Sequence, residues 1–229
     1  MQKLILWDID GTLIYSGGVA GEAMRASMER VYGSASTEAR LSYAGKTDRQ
    51  IILETFADRE HDELIDTIEL FTATYIEELT GRRADFLARC RVLDGVVPAL
   101  ERLATADVIQ SVLTGNLQPI AKIKLGLMDL SRFLDLDIGA YGSDHHRRTE
   151  LVPIAAARAA QRYGRAFAGA DVVVIGDTPH DIDCGRAGGA RTIAVATGPF
   201  SADALRAHGA DVVLENLTDT DATLAAILG

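Results

Sequence analysis

Lys3-Leu4-Ile5-Leu6-Trp7-Asp8-Ile9-Asp10-Gly11-Thr12 is the stretch whose reading decides the fold. Leu4 to Trp7 are apolar without interruption and lack the alternation of a half-exposed strand. That run predicts a strand covered on both faces, as in a parallel sheet packed between helices. It passes directly into two carboxylates at i and i+2 and a Gly-Thr turn. Open α/β sheets bind ligands beyond the carboxyl ends of their strands, so chemistry is expected at Asp8 and Asp10.

Working outward, Tyr15-Ser16-Gly17-Gly18 offers paired glycines through which the chain can leave the sheet. From Val19 to about Ala88 helix-period patterns dominate and no buried-strand run interrupts them. Near Val92 the alternation of strand and helix resumes. Val96–Ala104 carries Pro98 in its first turn and reads as a helix. Val108–Leu113 reads as a strand, Leu117–Met128 as a helix and Leu134–Tyr141 as a third strand. The Ala-rich Glu150–Tyr163, with Pro153 early and Gly164 after it, predicts a helix. Val172–Ile175 and Thr192–Val195 are buried strands flanking a helix over Cys184–Ala187, with an edge strand at Asp211–Leu214 and a closing helix at Thr223–Leu228. The expected fold is α/β, a Rossmann-like doubly wound parallel sheet formed by 1–15 and 89–229, with an all-α cap, 16–88, inserted after the first strand.

Composition narrows the function classes. A net charge of −10 and a pI near 4.9 argue against a nucleic-acid face, though a local basic pocket for phosphate is compatible with them. Cys90 and Cys184 are far apart and show no CxxC spacing, which fits a reducing, cytoplasmic compartment rather than a disulfide framework or zinc site. The first apolar run is too short for a signal-peptide core, and no run approaches the ~18 apolar residues of a membrane span. Small-molecule substrates are favoured, with no nucleic-acid or membrane partner, and the chain is expected to be a monomer or homodimer. Gly45-Lys46-Thr47 suggests a phosphate loop, but that motif needs Gly five positions earlier, where Arg40 stands. Lys46 and Arg49, on a Gly-bearing turn between helices, are instead candidates for substrate contact from the insert side, set against an ordinary solvated loop.

Two later stretches join the first motif. Leu113-Thr114-Gly115-Asn116 and Gly176-Asp177-Thr178-Pro179-His180-Asp181 each follow an apolar run. In this order, and across the whole chain, the three stretches resemble the haloacid dehalogenase-like hydrolases, mostly aspartate-nucleophile phosphatases. The resemblance implies a Mg²⁺-dependent phosphatase that hydrolyses a small phosphorylated metabolite through an aspartyl-phosphate, similar to phosphoglycolate-phosphatase-like members. It implies Asp8 as nucleophile and metal ligand, the Asp10 carbonyl and Asp177 as further ligands, and Asp181 as a ligand or an orienter of bound water. Asp10 would be general acid and then general base, with a pKa tuned towards neutrality. The Thr114 hydroxyl and the N–H groups around Gly115 and Asn116 would hold the phosphoryl oxygens, helped by the N–H groups at Ile9 and near Asp10.

The family's remaining signature is a basic residue, usually Lys, before the helix leading into the acidic motif. No Lys follows Lys124 here. Arg148 is the preferred replacement and Arg147 the second choice; Lys124 is the competing candidate, although its mid-helix position reads as surface charge. Alternatives within the superfamily are a phosphomutase or a dehalogenase, the latter disfavoured by Asp10; outside enzymes, a binding module has no use for both a nucleophile and an acid/base. Adjacent His145 and His146 diverge too far to suggest a metal site, His180 reads as an exposed loop histidine, and Trp7 as core packing.

Overall fold

The computed structural model describes residues 2–34 and 42–229; Arg40 lies outside them. The opening apolar run is β1 (Lys3–Trp7). It leads through β2 (Ile14–Tyr15) into five helices: α1 (Val19–Tyr32), α2 (Asp48–Thr55), α3 (His61–Asp66), α4 (Ile68–Gly81) and α5 (Arg83–Arg89). There follow β3 (Arg91–Val92), α6 (Val96–Ala104), β4 (Val108–Val112), α7 (Gln118–Leu127), α8 (Leu151–Tyr163), β5 (Val172–Gly176), α9 (Pro179–Ala187), β6 (Arg191–Val195), α10 (Ala202–His208), β7 (Val212–Leu214) and α11 (Thr220–Leu228). Five strands form one parallel sheet in the order β4-β1-β5-β6-β7.

The uninterrupted apolar run follows from this placement. Leu4 and Leu6 face one core with Val172, Val174, Ala155 and Ala159, whereas Ile5 and Trp7 face the other with Leu100, Leu103 and Val112. All four β1 residues from Leu4 to Trp7 are 0% exposed. Each such side chain is worth about 1.5–3 kcal/mol of burial, so a charge at any of them would break the sheet. Trp7 is core packing as expected, with its indole N–H on Gln110.

Register fixes where the motifs meet. Trp7 stands opposite Val112 on one side and Ile175 on the other, so the residues that follow these three leave the sheet side by side. Asp8 N–H donates to the Ile175 carbonyl (2.8 Å) and Leu113 N–H to the Trp7 carbonyl (2.9 Å).

The α1–α5 segment departs and returns through one antiparallel ribbon, with Ile14 opposite Val92 and Tyr15 opposite Arg91. Gly17 and Gly18 both have positive φ, 59° and 80°. A side chain at Gly17 would bring its Cβ within 2.7 Å of the Arg89 carbonyl oxygen, so the departing chain crosses its own return at a place only glycine fits. Helices α1 and α4 pack on each other around Met28, Tyr32, Phe71 and Tyr75.

One expected strand is absent. Leu134–Tyr141 makes a single bridge, Ala140 to Leu113, rather than a ladder. Asp137 N–H folds back onto the Asp135 side chain, and a Cβ at Gly139 would lie 2.7 Å from the Tyr141 hydroxyl and 2.8 Å from a Val112 methyl. An Asx turn and a glycine within the run hold it out of regular pairing.

Candidate active site

Asp8, Thr114 and Asp177 emerge at the carboxyl ends of three adjacent strands, β1, β4 and β5. One carboxylate oxygen from each of Asp8, Asp177 and Asp181 lies within 4.8 Å of the others, and all three residues are buried. Asp181 gets there because α9 begins at Thr178: its carboxylate accepts the Thr178 N–H (3.0 Å) and hydroxyl (2.7 Å), closing a capping box. Arg148 enters the cluster from the turn before α8. Its Nη2 donates to Asp8 Oδ1 (2.7 Å) and to Asp181 Oδ1, and its Nη1 to the Gly45 carbonyl (3.1 Å). Arg147 directs its backbone N–H to the exposed His145 ring instead.

The charges are unbalanced. Burial, reinforced by Asp8 and Asp181, pushes the Asp177 carboxyl up to about 9. Burial also raises Asp8, to about 7, against the pull of Arg148. Arg148 touches Asp8 and Asp181, while among the described residues Asp177 has only the Thr12 hydroxyl (3.1 Å). Around Asp177 Oδ2 the backbone is kept bare: a Cβ at Gly11 or Gly198 would fall 2.3 or 1.7 Å from that oxygen. Three crowded carboxylates with one guanidinium and open space at the third are a fit for a hard divalent cation with oxygen ligands. The Asp10 side chain is not in this cluster, which leaves only its main-chain carbonyl for such an ion.

Asp10 turns the other way. Its Oδ2 accepts from Lys124 Nζ (2.7 Å) and Asn116 Nδ2 (2.8 Å), and Lys124 also donates to Asn116 Oδ1 (2.6 Å). The reading of Lys124 as surface charge is therefore corrected: the residue is 2% exposed. On α7 it lies on the buried face with Ile120, Ala121 and Leu125. Nor is the Asp10 pKa tuned towards neutrality. Burial works to raise it, but the charge and hydrogen bond of Lys124, with that of Asn116, outweigh burial and hold it below the usual carboxylate value.

Above the cluster sits a cavity of about 490 Å³, lined by Asp8, Asp10, Asp177, Arg148, Thr114 and Gly115 on the sheet side. Asp10 Oδ1 and Arg148 Nε are buried and have no hydrogen-bond partner. Among the described residues, no protein acceptor is found for the N–H groups of Ile9, Asp10 or Gly115. Asn116 N–H folds onto Thr114 Oγ1 (3.3 Å) and is not free.

The other wall comes from the helical segment, whose 44–48 turn is fastened to the sheet side. Asp48 N–H donates to the Gly115 carbonyl (2.8 Å), Leu117 N–H to Asp48 Oδ2 (2.8 Å), and the Thr47 hydroxyl to the His146 carbonyl (2.6 Å). A Cβ at Gly115 would sit 2.0 Å from the Lys46 carbonyl oxygen, so only glycine permits this approach. Lys46 lines the cavity, but its amine pairs with Glu54. Arg49 does not line it; its guanidinium runs along the outside to the Ser143 carbonyl (3.2 Å). Half-buried His180 packs beside Gly45. His145 and His146 stack at 4.7 Å and join no metal-ligating group among the described residues. Both cysteines are free and buried, and no described helix is long and apolar enough to cross a membrane.

A family model described as haloacid dehalogenase-like hydrolase matches residues 5–195. The chain belongs to that family. As a member it is a hydrolase with the fold expected for the family, and its relatives agree across nearly their full lengths. A putative pyrophosphatase PpaX from Caldanaerobacter subterraneus is 23% identical over 214 residues, covering 93% of this chain and 90% of the relative. Pyrophosphatase PpaX from Bacillus pumilus is 24% identical over 98% of this chain and 95% of its own. A solved structure of a predicted phosphatase from Clostridium acetobutylicum superposes with a TM-score of 0.69 at 16% identity, over 98% of this chain and 99% of that one.

Proposed function

We propose that this hydrolase is a Mg²⁺-dependent phosphatase that hydrolyses a small phosphorylated metabolite through an aspartyl-phosphate on Asp8. The observation carrying this reading is the pair of carboxylates two residues apart that face different partners. Asp8 is in the three-acid cluster with Arg148, and Asp10, which lines the cavity, is on Lys124 and Asn116, with its other oxygen buried and without a partner among the described residues. A nucleophile and a proton carrier need that separation.

In this reading a phosphoryl group lies between Asp8 and the free N–H groups of Ile9, Asp10 and Gly115, with the Thr114 hydroxyl beside them. Asp8, Asp177 and the Asp10 carbonyl, with Asp181 adjoining, would hold Mg²⁺, which would supply the positive charge needed against the repulsion between nucleophile and substrate. Arg148 fixes the Asp8 carboxylate and supplies a permanent positive charge. Asp8 attacks phosphorus in line; the bond to the leaving oxygen breaks, and that oxygen takes a proton from Asp10 Oδ1. Asp10 then removes a proton from water, which attacks the aspartyl-phosphate phosphorus and returns Asp8 with release of phosphate. Lys124 favours the ionised form of Asp10 from which this second half starts, and the proton that Asp10 then takes from water is the one it gives to the next leaving oxygen. Residues 16–88 form a cap that opens at Gly17-Gly18 and closes through the 44–48 turn. Lys46 then stands at the leaving-group end and Arg49 serves the closure rather than the substrate.

Phosphate release from p-nitrophenyl phosphate, with and without Mg²⁺, tests the reading. Release should require Mg²⁺ and disappear in Asp8→Asn, with the melting temperature preserved. Substantial release by that variant would overturn the aspartyl-phosphate mechanism.

A further inference from the structure

The cavity wall opposite the carboxylates is apolar. Ala20, Met24, Ile51 and the rings of Tyr43 and Tyr75 form it, and the Tyr75 hydroxyl is turned away to the Ala20 carbonyl (3.1 Å). Every described cation that lines the cavity already has a carboxylate, whereas Arg25, exposed behind Gly21 and Tyr43 and outside the lining, has none among the described residues. Lys46 pairs with Glu54, which Gln50 also holds (2.8 Å), and Arg89 pairs with Glu22 (2.8 Å). Lys124, at the boundary, pairs with Asp10, and the wall carries a further buried acid, Asp48.

We propose, resting on the phosphatase reading above, that the substrate is a monophosphate ester whose leaving group is uncharged and largely apolar, and that pyrophosphate and carboxylate-bearing phosphates are poor substrates. A second anionic end would be desolvated against Met24, Ile51 and two aromatic rings with no unpaired cation among the described lining residues to receive it. It would also lie among Asp10, Asp48 and Glu54. An apolar alcohol gains from the same wall, and Met24 adapts to its shape. The cavity lies within the range of small-ligand sites, leaving room beyond the phosphoryl group for on the order of ten non-hydrogen atoms. The relatives named pyrophosphatase share only 23–24% identity with this chain, so a different leaving-group wall is compatible with the same sheet-side chemistry.

The test compares kcat/KM with Mg²⁺ for 3-phenylpropyl phosphate, a carboxylate-ended alkyl phosphate of equal length and leaving-oxygen acidity, and pyrophosphate. The neutral ester should lead both by at least about tenfold. Parity, or preference for either anion, overturns the proposal. A second arm uses the Asp8→Asn protein and calorimetry with the two matching alkyl phosphonates, so that the wall is read without turnover. Tighter binding of the neutral phosphonate alongside no hydrolysis of any ester would sink the phosphatase reading and leave the leaving-group assignment standing. Glu54→Gln frees Lys46 and should narrow the preference several-fold, chiefly by lowering KM for the carboxylated ester. An unchanged ratio would show that the pairing of Lys46 does not set selectivity.

Discussion

The two ends of the cavity are built in opposite ways. At the sheet end, Asp8, Asp177, Asp181 and Arg148 are crowded together and each is held by strand register, a helix cap or an ion pair. At the insert end, the side chains are apolar and Lys46 is neutralised by Glu54. Charge density this high in a buried place costs stability unless something compensates it, and the raised Asp8 and Asp177 values are a direct sign of that cost. On the function proposed above, the sheet end would serve a reaction step that any phosphate ester shares, and the insert end would discriminate among esters. Substitutions at the two ends should separate on that line.

The largest effect is expected at Arg148. Arg148→Ala should lower kcat by about a hundredfold or more, as loss of one transition-state charge contact does, and Arg148→Lys should recover part of it. The loss should be of the same size for an activated aryl phosphate and for an alkyl phosphate. A loss confined to one substrate class would break the division between the two ends.

Lys124 comes next, because it acts through Asp10. Lys124→Met should cost about tenfold in kcat on alkyl phosphates, below the ~10²–10⁴ that general acid–base catalysis contributes in full. It should cost about as much on p-nitrophenyl phosphate, because the water attack that Lys124 favours by holding Asp10 ionised is common to both substrates. A loss confined to the alkyl ester would place the effect of Lys124 on leaving-group protonation instead. Its removal should also destabilise the fold by about 2 kcal/mol. That is less than the ~3–5 of a fully buried pair, since the Asp10 side chain is 36% exposed towards the cavity.

Much of the sheet end was legible in the sequence, and the reasons are local. Asp8 and Asp177 directly follow buried strands, so strand register brings them side by side, and the first turn of α9 adds Asp181. In the sequence Arg148 is preferred only through the family resemblance, which calls for a basic residue before α8, and Arg147 and Lys124 stay open there because no lysine follows Lys124. Lys124 was missed because a lysine in mid-helix is usually solvated. The signal available was its position on the Ile120, Ala121, Leu125 stripe, where a charge needs a buried partner. The pairing of Lys46 with Glu54, one helix further on, depends on side-chain geometry that no motif records. Leu134–Tyr141 shows the reverse failure: alternation predicted a strand, but Gly139 and the Asp135 turn made it a lone bridge.

The smallest expected effect lies at the seam between the two ends. Asp48 is 6% exposed, and its carboxylate accepts the Leu117 N–H while its own N–H reaches Gly115. Burial raises its carboxyl to about 6, against the pull of Lys124 and the Leu117 hydrogen bond. In the unfolded chain the same group titrates near 4. Between those values the folded protein holds more protons than the unfolded one, so this residue's contribution to stability rises as pH falls and is lost as pH climbs through 6. Asp48→Asn keeps an oxygen for the Leu117 N–H and removes the charge. At pH 7.5 it should be more stable than the parent, by on the order of 1 kcal/mol after loss of the Lys124 attraction. The gap between the two melting temperatures should shrink by about half by pH 5 and close only below about pH 4, where the residue is protonated in the unfolded chain as well. A gap that stays constant from pH 7.5 to 5 would show that the seam depends on the hydrogen bond alone, and that the charge crowding of the sheet end stops short of Asp48.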